Sequence, residues 1–356
     1  MRYPVMILVL LIASLAGACS TFLLTNPEEG DIIFGRSYDF EVGDGMLVTN
    51  KSGVSKVAFM PYSDTAATWV SRYGSLTFNQ FGRETPQGGI NEAGLVVELM
   101  WLDETTYPKG DERPAVGELQ WIQYQLDNHA TVEEVLASDE TVRISFNAFT
   151  PLHYLVADAT GDCAVVEFID GEMLVHRGDE LPIAALTNNT YDDSLAEFAE
   201  WTEPVEELTS LERFCRAADG VSTYEPAGVD PTVYSSLKDS IIEYAFNILK
   251  AVTTEGWTQW SIVYDIPNRR VNYYTAANPE RRSVELESFD FACETPVLVR
   301  DVDTGAGAVD DLFIEYSYEI NRALVGRVYG AVEFLQGLPT MALNYVAIYP
   351  ERQTCE

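Results

Sequence analysis

Cys19, Arg36, Asp39, Asn188 and Arg213 are residues of this chain whose types could together run nucleophilic chemistry without a histidine. A cysteine attacks as its thiolate, so it needs a cation nearby, an acceptor to hold the amine that serves as base, and donors for the oxyanion of a tetrahedral intermediate. Arg36 can supply the first, Asp39 the second and the amide of Asn188 one of the donors, while Arg213 can orient this group or a substrate carboxylate. Taken singly, each has a duller explanation. Arg36 and Asp39 also read as an exposed ion pair, Asn188 as a turn residue and Arg213 as part of a solvated helix face.

The segment before Cys19 raises its interest. Arg2 is followed by an uncharged run from Pro4 to Leu15, and Ala16-Gly17-Ala18 has the small residues that a signal peptidase cuts after. Residues 1–18 therefore read as a signal peptide whose removal leaves Cys19 first, with a thiol and a free α-amine on one residue. That amine can act as the base for its own nucleophile. The run is too short to span a bilayer, which takes about 20 residues. A lipoprotein, with Cys19 acylated, is the competing reading; against it, Leu15 stands four residues before Cys19 and Ala16 occupies the place usual for an aliphatic residue.

Composition bounds the partners. The 356 residues carry 56 acidic against 22 basic side chains, a net charge of −34, so nucleic acid and anionic membranes are poor partners. Lysine is scarce among the cations, a surface that suits salty surroundings. If the chain is exported, five cysteines leave one unpaired when the rest pair, and the odd one is Cys19. Cys163, Cys215, Cys293 and Cys355 allow two bridges in three ways, although Cys215 lies in a helical stretch where a buried free thiol is at least as natural. His129, His153 and His176 lack metal-ligand spacing, and no cofactor or metal is expected.

The elements that must position these residues follow from patterning. Cys19 to Leu24 and Asp31 to Tyr38 read as a hairpin around Asn26-Pro27-Glu28-Glu29-Gly30, which would bring Arg36 and Asp39 back beside Cys19. Short strands continue at 46–48, 56–60 and 68–81, and the turn 89–95 feeds a strand over 96–102. Helices are expected at 115–126 and from Thr131, an N-cap with Glu134 three residues on, to Ala137. A hairpin at 154–157 and 163–168 follows, with strands at 172–176 and 183–186. Helices at 206–218 and 231–252, a hairpin at 259–265 and 270–276, and one long helix or a pair over 308–335 complete the chain. Two face-to-face sheets with helical layers outside, a four-layer αββα sandwich of the α+β class in a single domain over 19–356, satisfy this order.

Several motifs then fall into a familiar order: Cys19 at a mature amino terminus, Phe34-Gly35-Arg36-Ser37-Tyr38-Asp39, Gly89-Ile90-Asn91-Glu92-Ala93-Gly94-Leu95, Leu186-Thr187-Asn188-Asn189 and Glu212-Arg213-Phe214-Cys215-Arg216. In order and approximate spacing the chain resembles the choloylglycine hydrolase and penicillin V acylase family. The resemblance implies the N-terminal nucleophile hydrolase fold and hydrolysis of non-peptide linear amides. Cys19 would be the nucleophile, Arg36 and Asp39 would tune and position it, Asn188 would give an oxyanion donor and Arg213 would support the site. Where bile-salt members carry asparagine and many penicillin acylases tyrosine, this chain has Trp101, which keeps the backbone N–H that the family also uses there. With its leader the chain looks like the Gram-negative exported branch, periplasmic or secreted, which hydrolyses penicillin V and N-acyl homoserine lactones. Bile salt hydrolysis is the alternative. Trp101 and Phe40 would be aromatic walls for the substrate, although Phe40 reads equally as core. Family analogy adds a tetramer.

Overall fold

The structure, a computed structural model, describes residues 19–26, 30–60, 64–224 and 234–356. The leader, residues 27–29 of the first turn and the start of the helix expected at 231 lie outside the described residues.

The first hairpin forms from two runs rich in branched and aromatic residues, buried on both faces. Strand β1 (Ser20–Asn26) pairs antiparallel with β2 (Asp31–Asp39), in a register that sets Ser20 opposite Ser37 and Thr21 opposite Arg36. These two strands lie in a seven-stranded sheet among the described residues, flanked by Ala185–Leu186 on one side and by Thr258–Asp265, Arg270–Thr275, Arg282–Glu285 and Gly307–Ala308 on the other. A second sheet runs in the order Glu172–Arg177, Cys163–Ile169, Leu152–Ala157, Val96–Trp101, Pro86–Asn91, Ser75–Asn79, Met46–Asn50, Leu298–Asp301 and Ile314–Glu315.

Period-two alternation assigns the faces. Along Val96–Trp101, Val96 and Met100 join the core between the sheets, and Val97 and Leu99 face outward into a separate apolar cluster. That outer cluster is closed by α1 (Glu118–Asn128) and α2 (Val132–Ala137). On the outside of the first sheet pack α3 (Tyr191–Glu200), α4 (Ser210–Ser222) and α5 (Tyr234–Ala251). The far half of the second sheet is covered by α6 (Tyr318–Ala331), through Leu324 and Val328 against Met46, Val48 and Val299, with α7 (Thr340–Ile348) beside it. The layers are αββα. No helix among the described residues is long and apolar enough to cross a membrane.

Local departures have local causes. The first helix begins only after Gly117, because Ala115–Val116 pair with Arg143–Ile144. Thr131 does cap α2, accepting from the Glu134 amide, while the Glu134 carboxylate accepts from Ala130 N–H. The long helix expected over 308–335 is shorter: Gly307–Ala308 and Ile314–Glu315 are captured as sheet edges, and α6 starts where Ser317 caps it. Helices α3 and α7 were not anticipated. Of the expected bridges only Cys293–Cys355 forms; Cys163 and Cys215 are buried free thiols on a strand and on α4.

Candidate active site

Cys19 stands immediately before β1, on the face of the hairpin that carries Thr21 and Arg36 toward the second sheet. Thr21 Oγ1 meets Met100 Sδ at 3.4 Å, which fixes that face as the inter-sheet one. Arg36 Nη2 donates to Cys19 Sγ at 3.3 Å, and the thiol lies 3.8 Å from the Asp39 carbonyl. The expectation that the hairpin returns Arg36 and Asp39 to Cys19 is met. Burial pushes the Cys19 thiol above its ordinary value, the Arg36 guanidinium opposes that shift, and Asp39 adds to it. The Asp39 carboxyl is itself raised to about 6 by burial, against hydrogen bonds from Thr258 and Ser37. A guanidinium aimed at a thiol is the arrangement that favours thiolate once the sulfur titrates.

A second carboxylate, absent from the sequence reading, supports Arg36. Glu98 Oε2 lies 3.3 Å from Arg36 Nε, and Tyr264 Oη donates to the other Glu98 oxygen. Both members of the ion pair are buried. Burial raises the Glu98 carboxyl to about 7, with Arg36 and then Tyr264 pulling it down. Gly88 makes room for this carboxylate, since a Cβ there would sit 2.1 Å from Glu98 Cδ. A signal was available in Val96-Val97-Glu98-Leu99-Met100, an acid at an inward position of an apolar strand, because such a group is rarely buried unless paired.

Asn188 enters from the loop between Ala185–Leu186 and α3, and Arg213 from the first turns of α4, whose N-cap Thr209 accepts from the Glu212 amide. Arg213 Nη2 donates to Asn188 Oδ1 at 2.8 Å, which fixes the amide so that its Nδ2 donates to the Trp101 carbonyl at 2.9 Å. Ser210 Oγ accepts from the Asn188 backbone N–H. Burial lowers the Arg213 guanidinium, with Asp39 and Cys19 acting in the opposite sense, so Arg213 shares the field of the thiol. Among the described residues, Asp39 Oδ2, Arg36 Nη1 and Arg213 Nε and Nη1 are buried polar atoms without a hydrogen-bond partner.

The two aromatic residues are placed differently. The Trp101 backbone faces the site: its pairing with Leu152 is of the non-hydrogen-bonded kind, given Leu102 N–H to Pro151 O, so its N–H and C=O point away from that strand and toward Asn188. Its ring falls, by alternation, on the side of Val97 and Leu99. There it is half-buried, belongs to none of the apolar clusters and donates Nε1–H to Asp103. Phe40, half-buried, stacks on Tyr38 and meets Phe81 edge-on, packed against the core.

Comparison with known proteins matches the geometry. Residues 19–299 match the family described as linear amide C–N hydrolases, choloylglycine hydrolase family. A penicillin V acylase of Pectobacterium atrosepticum is 25% identical over 316 residues, covering 77% of this chain and 82% of that protein. The structure of penicillin V acylase from Agrobacterium tumefaciens superposes with a TM-score of 0.70 at 26% identity, covering 84% of this chain and 98% of that one. A variant of the conjugated bile acid hydrolase from Clostridium perfringens, at 19% identity, shares the fold with a TM-score of 0.63 over 82% of this chain and 98% of its own. The αββα sandwich is that of the N-terminal nucleophile hydrolases, and this chain belongs to the choloylglycine hydrolase family of linear amide C–N hydrolases.

Proposed function

We propose that the chain is exported, that residues 1–18 are removed, and that Cys19 becomes an N-terminal nucleophile hydrolysing N-acyl homoserine lactones, penicillin V-like amides or both. The observation that carries this reading is the 3.3 Å contact of Arg36 Nη2 with Cys19 Sγ at the residue where the family match begins. In the reaction the thiol sulfur attacks the amide carbonyl carbon. The α-amine takes the thiol proton and passes it to the leaving nitrogen as the C–N bond breaks. Water, deprotonated by the same amine, then attacks the thioester, releasing the acid and restoring the thiol. Asp39 Oδ2 is the acceptor available to hold the amine. The second N–H of Asn188 Nδ2 and the Trp101 backbone N–H form the oxyanion hole, and Arg213 holds Asn188 in place.

Intact mass of the secreted protein tests the first step. A chain starting at unmodified Cys19 is expected, and a diacylglyceryl increment on that residue would make it a lipoprotein instead. On mature protein, Cys19→Ala should abolish turnover without changing the melting temperature by more than a few degrees. Wild-type activity in that variant would refute the assignment.

The substrate class rests on the likeness to penicillin V acylases, with Phe40, next to Asp39, as an apolar wall of the site; the Trp101 ring lies on the outer face of its strand, and Trp101 contributes its backbone. Medium- or long-chain acyl homoserine lactones and phenoxyacetyl amides should be turned over faster than glycine- or taurine-conjugated bile salts. An apolar wall can shift such a ratio by roughly 10- to 200-fold in kcat/KM. Phe40→Ala should change the ratio between the two classes, and Trp101→Ala, whose ring faces away from Cys19, should leave it unchanged. A ratio that stays fixed in Phe40→Ala while stability drops would remove Phe40 from the substrate pocket.

A further inference from the structure

We infer that His153 and Glu167 form a positioning dyad that clamps the Asn188 loop from behind, so that the oxyanion donor is held by a histidine and a glutamate that never touch substrate. This rests on the reading of Asn188 as an oxyanion donor.

His153 lies on Leu152–Ala157 and is fully buried; Glu167, on the neighbouring strand Cys163–Ile169, is 1% exposed. The ring bridges them to the loop. His153 Nε2 is 2.7 Å from the Thr187 carbonyl, and Nδ1 is 3.0 Å from Glu167 Oε1. The same Glu167 oxygen accepts from the Tyr191 N–H at 3.0 Å. One end of the segment Thr187–Tyr191 is therefore held through its carbonyl by the histidine, and the other through its amide by the glutamate, with Asn188 between. His176 reinforces the glutamate, its Nε2 3.6 Å from Glu167 Oε2 and its ring 4.8 Å from that of Tyr191.

The hydrogen-bond inventory fixes the roles. A carbonyl can only accept, so His153 Nε2 must carry a proton. Despite burial, which acts the other way, hydrogen bonds from His153 and His176 hold the Glu167 carboxyl down at about 2, so it too can only accept. The contact between Nδ1 and Glu167 completes the bridge from strand to loop. The dyad is buried, and two of its contacts are backbone groups of the loop that carries Asn188. Among the described residues no hydrogen bond or ion pair joins it to Cys19, Arg36 or Asp39, and its bonds to the loop make Asn188 the group through which it acts on the reaction.

The test uses mature enzyme and whichever amide of the panel above it turns over fastest. Asn188→Ala should lower kcat by about 100-fold or more with little change in KM. Gln and Asn separate the two histidine contacts, since a glutamine nitrogen can reach the Nε2 position and an asparagine nitrogen the Nδ1 position. His153→Gln, keeping the donor to Thr187, should stay within a few-fold of wild-type kcat. His153→Asn, losing it, should fall by about 10-fold or more at nearly constant KM. In the double variant with Asn188→Ala, His153→Asn should cost nothing further, because both changes disable one donor. A merely structural histidine would instead give effects that multiply.

Equal kcat for the Gln and Asn variants, or a multiplied loss in the double variant, overturns the dyad while leaving the amidase intact. Full activity in Asn188→Ala overturns the oxyanion reading and the dyad's role together. A wild type inert toward every amide sinks the proposed function, and this inference with it. If His153→Asn is too unstable to assay, Glu167→Gln carries the same test. It keeps an acceptor for Tyr191 N–H but removes the charge, and it is expected to lower kcat several-fold and non-additively with Asn188→Ala.

Discussion

A guanidinium that is fully buried must be paired or it would cost several kcal/mol, and Arg36 is paired on two sides, by the Cys19 sulfur and by Glu98. The nucleophile therefore sits at the end of a charge chain, Tyr264 to Glu98 to Arg36 to Cys19, whose carboxylate titrates near neutrality. Glu98, raised to about 7, and Asp39, raised to about 6, both lose charge as the solution is acidified. The expected pH profile of kcat/KM thus has an acid limb between about pH 6 and 7, where Arg36 loses its anchor and the amine its acceptor. Glu98→Gln keeps the shape of the side chain but makes its bond to Arg36 neutral, and charge-assisted bonds are roughly twice as strong as neutral ones. We expect kcat/KM about tenfold lower at pH 8 and an acid limb that moves down toward the Asp39 value. A profile that superposes on wild type would show that Glu98 has no part in tuning Arg36.

At the scale of elements, the parts of the chain set by alternation and turn chemistry were legible, and those set by tertiary pairing were not. The β1–β2 hairpin forms because two runs rich in branched and aromatic residues are buried on both faces, and its register alone carries Arg36 to Cys19. The reading failed over 308–317, where an apolar and acidic stretch looked helical but is drawn into the edges of both sheets. Glu98 left one local signal, an acid inside an apolar strand, whereas the His153–Glu167 pair left none, because strand neighbours distant in sequence make no local pattern. Gly88 and Gly330 show the same contrast in testable form. Gly88 lies under the Glu98 carboxylate, so Gly88→Ala should destabilise by about 1–3 kcal/mol and depress activity with it, as overpacking does. Gly330, in the last turn of α6 with open space around it, should gain up to about 1 kcal/mol on replacement by alanine and leave activity alone. Chemical denaturation with an activity assay reads both, and a neutral Gly88→Ala would mean that the Glu98 side chain can move aside.

For the molecule as a whole, interior charges pair with one another, Arg36 with Glu98 and Lys56 with Glu84 and Asp127. The acidic excess in a net charge of −34 is therefore mostly on the surface, where it repels itself. Screening should relieve that repulsion, because the Debye length falls from about 30 Å at 0.01 M salt to about 3 Å at 1 M. We expect the melting temperature at pH 7 to rise by several degrees between these two salt concentrations, equally in NaCl and KCl. Lower pH should act in the same direction. Asp39 and Glu98 have raised folded values, so the native state binds more protons than the unfolded one between about pH 4 and 7, and their contribution to stability grows as pH falls through that window. Glu167 has the opposite sign: its stabilisation is complete above the usual carboxylate range and is lost only as pH falls toward about 2. The salt-induced rise should accordingly be smaller at pH 5 than at pH 7, since fewer carboxylates remain to be screened. A melting temperature that falls with salt at pH 7 would mean that exposed pairs such as Arg327–Asp44 and Arg270–Glu285 outweigh the repulsion, and a rise in one salt alone would point to a bound ion.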